Sequence, residues 1–209
     1  MRRVKKAFAA LAGIAAFCWL IRITPPIVHA VNFWTPVNSP LLDDYLPVTP
    51  SVTLADTSAL NWRFATQPLG ATYHIYARLN CTTNTNSGSY ACGIYLYDGT
   101  KVEGLEALWS QTGGRPGLRV ETMTNVSTDA ATLVGPTNGI VGAGFTLSII
   151  DDGVHRTFYY WMTGAFHQLY QEPTGTFLTP TSAGFGGATA GNNAGSVMGI
   201  QCLIWSVAP

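Results

Sequence analysis

Apolar and polar residues alternate with a period of two along most of the chain. The clearest example is Phe145–Phe185, where an apolar run, an Asp-Asp-Gly turn at 151–153 and the run His155–Met162 follow one another. An Asp-Gly pair between apolar runs is a strong local hairpin signal, because glycine readily adopts the positive φ that such turns need. A second turn at 162–165 leads into Phe166–Gln171. The pattern predicts three antiparallel strands in a meander.

Further strands are predicted on both sides of this meander. Between residues 52 and 123, and again over Val197–Val207, apolar residues alternate with polar ones. Successive side chains of a strand point to opposite faces, so each predicted sheet should bury one face. The chain has 209 residues, 22 glycines and 12 prolines, and few strong helix formers after residue 30. These features predict one all-β domain over residues 52–209.

The first 30 residues differ in composition from the rest. Basic residues at positions 2–6 precede an apolar run from Ala7 to Ile21, and Val28-His29-Ala30 is similar to a signal cleavage site. The run is shorter than the roughly 20 residues that a membrane-spanning helix needs. The segment is predicted to be a helical tail serving as a secretion signal, a membrane anchor or an assembly segment. Residues 31–51 are rich in proline and are predicted to form an extended linker.

Charge is unevenly distributed along the chain. The formal net charge is zero, but five of the eleven Lys and Arg residues precede residue 31. The remainder therefore carries six basic residues against eleven carboxylates, a net charge of −5. An acidic body without a basic stripe argues against a nucleic-acid partner. Contact with a membrane is expected only through residues 1–30, if they are retained.

Candidate catalytic residues are scarce in the sequence. Retaining glycosidases hold two carboxyl groups about 5 Å apart. Glu103 and Glu106 are three residues apart, so on a strand they should point to opposite faces. Asp151 and Asp152 lie in a turn, where Asp is favoured for local hydrogen bonds to the backbone. The four histidines show no ligand spacing. We therefore predict no catalytic site, no metal site and no cofactor.

Cys81 and Cys92 flank a polar loop between two predicted strands. A hairpin would bring them together, and a disulfide that closes a loop of this size could stabilise the fold by about 3 kcal/mol. A reducing cytoplasm would instead keep both residues as thiols. The sequence leaves both states open.

The predicted strand His155–Met162 also supplies a candidate interaction surface. Its period of two places Phe158, Tyr160 and Met162 on one face, and Tyr159 and Trp161 on the other. If the first set fills the core, the second set is exposed, and clustered exposed aromatics mark binding surfaces or subunit contacts. The alternative is that a neighbouring loop or strand covers this face.

Aromatic faces of this kind could stack on sugar rings, with nearby polar side chains binding the hydroxyl groups. The residues predicted to bind carbohydrate or to form an interface are Tyr159, Trp161, Arg156, Gln168 and Gln171.

Residues 144–187 resemble the concanavalin A-like (lectin/glucanase, jelly-roll) domains of bacteriophage virion and tail proteins. The resemblance rests on the Asp-Asp-Gly turn, on Arg156-x-Phe158-x-Tyr160, and on Phe177-Leu178-Thr179 followed by Gly184-Phe185; it extends more weakly over Val52–Ser206. It implies an all-β, antiparallel two-sheet jelly-roll sandwich.

The same resemblance implies a non-enzymatic structural component of a phage particle, either a tail protein or a surface-decorating protein. Such a protein would assemble with itself and with other virion proteins, and could contact host glycans. One alternative is a secreted or membrane-anchored bacterial carbohydrate-binding module, for which the N-terminal segment is the main support. A weaker alternative is a degenerate glycoside hydrolase. The expected location is the virion, and the alternative is a secreted or membrane-anchored protein.

Overall fold

The computed structural model describes residues 34–38, 41–43, 50–55, 61–83, 89–110, 117–137, 144–190 and 197–209. The predicted tail at 1–30 lies outside these ranges, and so does about half of the predicted linker at 31–51. All regular secondary structure within the described ranges is β, which confirms the predicted fold class. None of these residues forms a helix long and apolar enough to cross a membrane.

Fourteen strands occur in the described ranges. They are β1 (Thr35–Val37), β2 (Leu41–Asp43), β3 (Ser51–Ala55), β4 (Asn61–Pro68), β5 (Tyr73–Thr83), β6 (Ser89–Tyr97), β7 (Val102–Ser110), β8 (Gly117–Asn125), β9 (Thr128–Thr137), β10 (Gly144–Asp151), β11 (His155–Met162), β12 (Ala165–Pro173), β13 (Ser182–Ala190) and β14 (Val197–Ala208).

The described strands form two seven-stranded antiparallel sheets. Sheet A has the order β1-β4-β13-β6-β7-β8-β9, and sheet B has the order β12-β11-β10-β5-β14-β3-β2. The predicted meander is confirmed as β10–β11–β12 at one edge of sheet B. Gly153 and Gly164 in its two turns both have φ of 86°, a value that glycine adopts without steric cost. Elsewhere the chain crosses between the sheets, for example from β5 to β6.

The main core lies between the two sheets. Sheet A contributes Ile94, Leu96, Leu105, Val120 and Phe185 among others, and sheet B contributes Ile75, Leu79, Leu147, Ile149 and Phe158. All ten of these side chains are fully buried. Burial of each such side chain stabilises the fold by about 1.5–3 kcal/mol. This core explains the period of two in the sequence, because every second residue of these strands faces the opposite sheet.

Sheet A also buries its other face, which the alternating pattern does not predict. Six residues form this outer cluster: Trp62, Phe64, Tyr95, Val102, Met123 and Ala188. The β8–β9 turn reaches across the sheet to β4, where the backbone N–H of Trp62 donates to the carbonyl of Val126 at 2.8 Å. Ser127 Oγ donates to Asn61 Oδ1 at 2.8 Å beside it. Since three strands separate β4 from β8 in the sheet, sheet A must curl strongly to make these contacts.

Candidate functional site

The outer face of sheet B carries the aromatic residues of the predicted interaction surface. Phe158 is fully buried in the main core, whereas Trp161 has 47% of its surface exposed and Tyr159 is half-buried. The two faces of β11 are therefore those that the period of two predicts. Neighbouring strands add residues that the sequence does not single out. We call the combined surface the aromatic face; it consists of Tyr76, Arg78, Thr146, Tyr159, Trp161 and Phe166.

Phe166 on β12 is the centre of the aromatic face. Its ring centroid lies 5.0 Å from that of Trp161, 6.0 Å from that of Tyr76 and 6.5 Å from that of Tyr159. The interplanar angles are 78°, 81° and 75°, so all three contacts are edge-to-face, an arrangement that aromatic pairs favour. Phe166 is itself 39% exposed. The contacts hold a rigid apolar platform at the surface of the protein.

A cavity of about 390 Å³ adjoins this platform. It is lined by Tyr76, Arg78, Gly144, Phe145, Thr146 and Trp161. The cavity lies where β5, β10 and β11 run side by side, with Arg78 paired in register with Thr146. Its volume is near the lower end of the range of about 300–1,000 Å³ for small-ligand sites. A single ring with one or two substituents is therefore the size of ligand that it suits.

Gln168 and Gln171 both lie on the outer face of sheet B. Gln168 is exposed and pairs with Tyr159, whereas Gln171 pairs with Thr157 and donates to its hydroxyl at 3.0 Å. A spacing of three would place them on opposite faces of a regular strand. A β-bulge between the two pairs restores the common face. Gln168 therefore borders the aromatic face, and the Gln171 amide is already bonded within the sheet.

Arg156 does not lie on this surface, and its predicted placement there is wrong. It is fully buried between the sheets, because it shares the inward-facing parity of Phe158 on β11. Its guanidinium donates to five groups: Tyr73 Oη at 3.1 Å, Asp151 Oδ2 at 3.2 Å, Glu172 Oε1 at 3.1 Å, Glu103 Oε2 at 2.5 Å and the Leu178 carbonyl at 3.1 Å. Arg156 therefore links β5, β7, β10, β11 and β12 from inside the sandwich.

One guanidinium cannot balance the three carboxyl groups around it. Desolvation by burial raises the pKa of Glu103 to about 8, against an ordinary value of 4.5, although the charge of Arg156 opposes the shift. Burial also raises the pKa of Glu172. The charge of Glu172 raises the pKa of Glu103 further, and Glu103 Oε1 and Glu172 Oε2 are both buried without a hydrogen-bond partner among the described residues. A proton on Glu103 therefore reduces the net charge of the cluster.

The stability of the fold is expected to fall as pH rises from 5 to 9. A carboxyl group whose pKa is higher in the folded than in the unfolded protein holds its proton more tightly when folded. Its contribution is complete below pH 4.5 and is lost as pH rises through about 8 for Glu103. Thermal melts across this range should show the decline, and Glu103→Gln, which mimics the protonated form, should flatten it. A melting temperature that rises from pH 5 to 9 would contradict this assignment.

A second buried ionic cluster lies on the other face of sheet A. Glu106 accepts a hydrogen bond from Tyr95 Oη at 2.7 Å, and Arg119 forms ion pairs with both Glu106 and Glu121. Burial, followed by the charge of Glu106, raises the pKa of Glu121 to about 9. As the spacing predicts, Glu103 and Glu106 lie on opposite faces of β7, each in a different cluster.

Paired carboxyl groups can serve as the acid and the base of a catalytic site. Here both Glu106 and Glu121 are buried, so in this conformation a substrate has no direct access to them. Sequence reasoning missed Arg119 and Glu121. Their spacing of two does predict a common face, but their contact with Glu106 follows only from the pairing of β7 with β8.

The hairpin expected between Cys81 and Cys92 is wrong, because β5 and β6 belong to different sheets. Both side chains nevertheless lie buried in the main core. In the structure both residues are thiols, and burial raises the pKa of Cys92 well above its ordinary value. The disulfide stays a prediction.

The described residues also contain no group of three or more His, Cys, Asp and Glu side chains that could hold a metal ion.

No protein-family model matches the chain, and no curated protein matches it in sequence. Solved structures do resemble it. A functionally unknown protein from Saccharomyces cerevisiae has a TM-score of 0.59 and 15% identity, over 84% of this chain and 95% of that one. The carbohydrate-binding module CBM66 from Bacillus subtilis has a TM-score of 0.50 and 10% identity, over 86% of this chain and 98% of that one.

A mutant of the GH43 protein BlXynB from Bacillus licheniformis has a TM-score of 0.54 and 16% identity, over 83% of this chain. The match covers 36% of that protein, so this chain spans only about a third of its length. At these identities the likeness establishes the fold, which is the concanavalin A-like jelly-roll sandwich. None of the structures named here supports the bacteriophage origin that the sequence resemblance implies.

Proposed function

We propose that this protein binds glycans through the aromatic face and does not cleave them. The observation that carries the proposal is the exposed cluster of rings around Phe166, which adjoins the cavity between β5, β10 and β11. A fold hosts many functions, so the argument rests on this site. It is supported by CBM66, a module that is named for carbohydrate binding and matches this chain over 98% of its own length.

The chemistry of the aromatic face suits a sugar ring. The apolar C–H surface of a pyranose stacks on an aromatic face, and Trp161 offers the largest exposed ring. Hydroxyl groups of the same sugar need hydrogen-bonding partners at the edge of the platform. Arg78, Thr146 and Gln168 provide such groups and lie on the same outer face of sheet B.

The positions of the carboxyl groups are the reason for proposing that the protein does not cleave glycans. Glycoside hydrolysis needs two carboxyl groups that reach the scissile bond. In the described part of the chain, three carboxyl groups lie around Arg156 and two around Arg119, and all five are buried away from the aromatic face. A catalytic carboxylate therefore does not lie beside the platform in the described residues.

Trp161→Ala is expected to weaken glycan binding by about 30-fold, since truncation of a central aromatic in a binding site costs about 2 kcal/mol or more. Its melting temperature should change little, because nearly half of the side chain is already exposed. Isothermal titration calorimetry against a panel of neutral and acidic oligosaccharides measures the first effect. Val154→Ala removes a side chain that is 63% exposed, in the β10–β11 turn, and is the matched control.

Wild-type protein that binds no glycan of the panel would contradict the proposal. Equal binding by wild-type protein and Trp161→Ala would place any glycan site elsewhere. Release of new reducing ends during the titrations would show that the protein cleaves its ligand.

As a second candidate we propose a structural role in a particle, with the aromatic face as a subunit contact. Exposed apolar side chains on sheet B also suit protein association, and they include Trp161, Phe166 and Ile204. The phage tail or decoration role and the virion location derive from the sequence resemblance. Secretion or membrane anchoring through residues 1–30 is the alternative. Sedimentation of wild-type protein and Trp161→Ala separates the candidates, since a subunit contact predicts self-association that the substitution removes.

A further inference from the structure

Five neighbouring strands of sheet B carry no negative charge on their outer face, although residues 31–209 carry a net charge of −5. The outward-facing residues of β5, β10, β11, β12 and β14 include no Asp or Glu. Elsewhere in the described residues, three carboxyl groups surround Arg156, two pair with Arg119, and Asp98 and Asp152 lie in turns. The outer face instead carries Arg78, His74 and His155.

Arg78 differs from Arg119 and Arg156 in having no ion pair with a described residue. Arg156 pairs with three carboxyl groups and Arg119 with two, whereas Arg78 is exposed and lines the cavity beside Trp161. A guanidinium presents a planar fork of N–H donors that matches the two oxygens of a carboxylate or a sulfate. An exposed arginine on an otherwise uncharged aromatic surface is therefore a receptor for an anionic group.

We propose that the cavity binds an acidic sugar, one that bears a carboxylate or a sulfate group. Arg78 contacts the anionic group, and Trp161 and Tyr76 contact the ring that carries it. This inference rests on the proposed glycan binding and names the chemical class of the ligand. The lack of carboxylates on the outer face of these five strands favours it further, because no carboxylate of these strands repels the ligand.

Two matched pairs of ligands test the proposal: oligogalacturonate with its methyl ester, and dextran sulfate with dextran. Each pair keeps the sugar backbone and removes the charge. Calorimetry at about 0.15 M salt, where charges about 8 Å apart are already screened, should show at least tenfold tighter binding of one acidic member than of its neutral partner. The pair that shows the preference tells whether the carboxylate or the sulfate is the recognised group.

Three variants test whether Arg78 and the cavity are responsible for the preference for acidic ligands. Arg78→Gln should reduce binding of the acidic member to that of its neutral partner. Lys101→Gln removes the same charge from an exposed site away from sheet B, where the ammonium bonds to the Phe177 carbonyl, and should leave the preference intact. Gly144→Leu should abolish binding of both members. A Cβ at Gly144 would meet only the Leu79 carbonyl at 3.8 Å, so the side chain fits the fold but fills the cavity.

The outcomes separate this inference from the proposed function. Equal binding of acidic and neutral members would overturn the anionic preference and leave glycan binding intact. A preference that survives Arg78→Gln, or that Lys101→Gln reduces equally, would show attraction by overall charge and overturn the role of Arg78. If wild-type protein binds neither member of either pair, nor any other glycan, both the inference and the proposed function are wrong.

Discussion

Replacement of Arg156 with methionine is expected to lower the free energy of unfolding by about 3–5 kcal/mol at pH 7.5, because removal of one partner leaves buried charges uncompensated. Three carboxyl groups converge on this guanidinium, those of Glu103, Asp151 and Glu172. A domain is typically stable by only about 5–15 kcal/mol, so the variant should be close to unfolding. Urea denaturation monitored by circular dichroism measures the change.

The same variant should recover part of its stability at pH 5. Acidic solution protonates the carboxyl groups that have lost their partner, so the cost of burying them falls. Arg78→Met is the matched control: it removes an exposed arginine without a described ion pair, and its effect should stay within about 0.5 kcal/mol. An Arg156→Met protein as stable as the control would show that the guanidinium does not hold these strands together.

Phe158→Ala is expected to lower the free energy of unfolding by about 3–5 kcal/mol, the usual cost of removing a buried aromatic side chain. Phe158 is fully buried in the main core and its ring centroid lies 5.9 Å from that of Tyr170. Trp161→Ala, three residues away on the same strand, should cost much less because Trp161 contacts the core little. Equilibrium denaturation of the two variants side by side provides the comparison.

The pair tests the assignment of faces on β11 directly. If Trp161→Ala unfolds the protein and Phe158→Ala does not, the aromatic face is covered and cannot be the binding surface. If both variants are strongly destabilised, both faces of β11 are part of the core. Only a stable, correctly folded Trp161→Ala protein supports a role for this residue in binding.

Sequence periodicity determined the class of fold and the faces of single strands. The alternation in 155–162 placed Phe158 inward and Trp161 outward, and the Asp-Gly turn at 152–153 located the first hairpin of the meander. Both features depend on residues close together in the chain. Local sterics fix the two-residue repeat and the turn conformation, so no knowledge of distant partners is needed.

The inward position of Arg156 follows from the same two-residue repeat. Arg156 lies two residues before Phe158 on β11, so its side chain shares the inward face and cannot lie beside Trp161. What parity does not provide is the identity of its partners. Glu103 lies 53 residues away in sequence and on the opposite sheet, and only the packing of the two sheets brings it to Arg156.

The remaining features of the candidate site were decided by the tertiary structure alone. Arg78, Thr146 and Trp161 come from three strands, and their convergence on one cavity depends on the order and register of sheet B. The bulge in the β11–β12 pair places Gln168 and Gln171 on one face, although their spacing of three residues predicts opposite faces. Strand order and register depend on burial and hydrogen bonding summed over the whole chain. A two-residue repeat therefore predicts on which face a residue lies, but not which residues of other strands lie beside it.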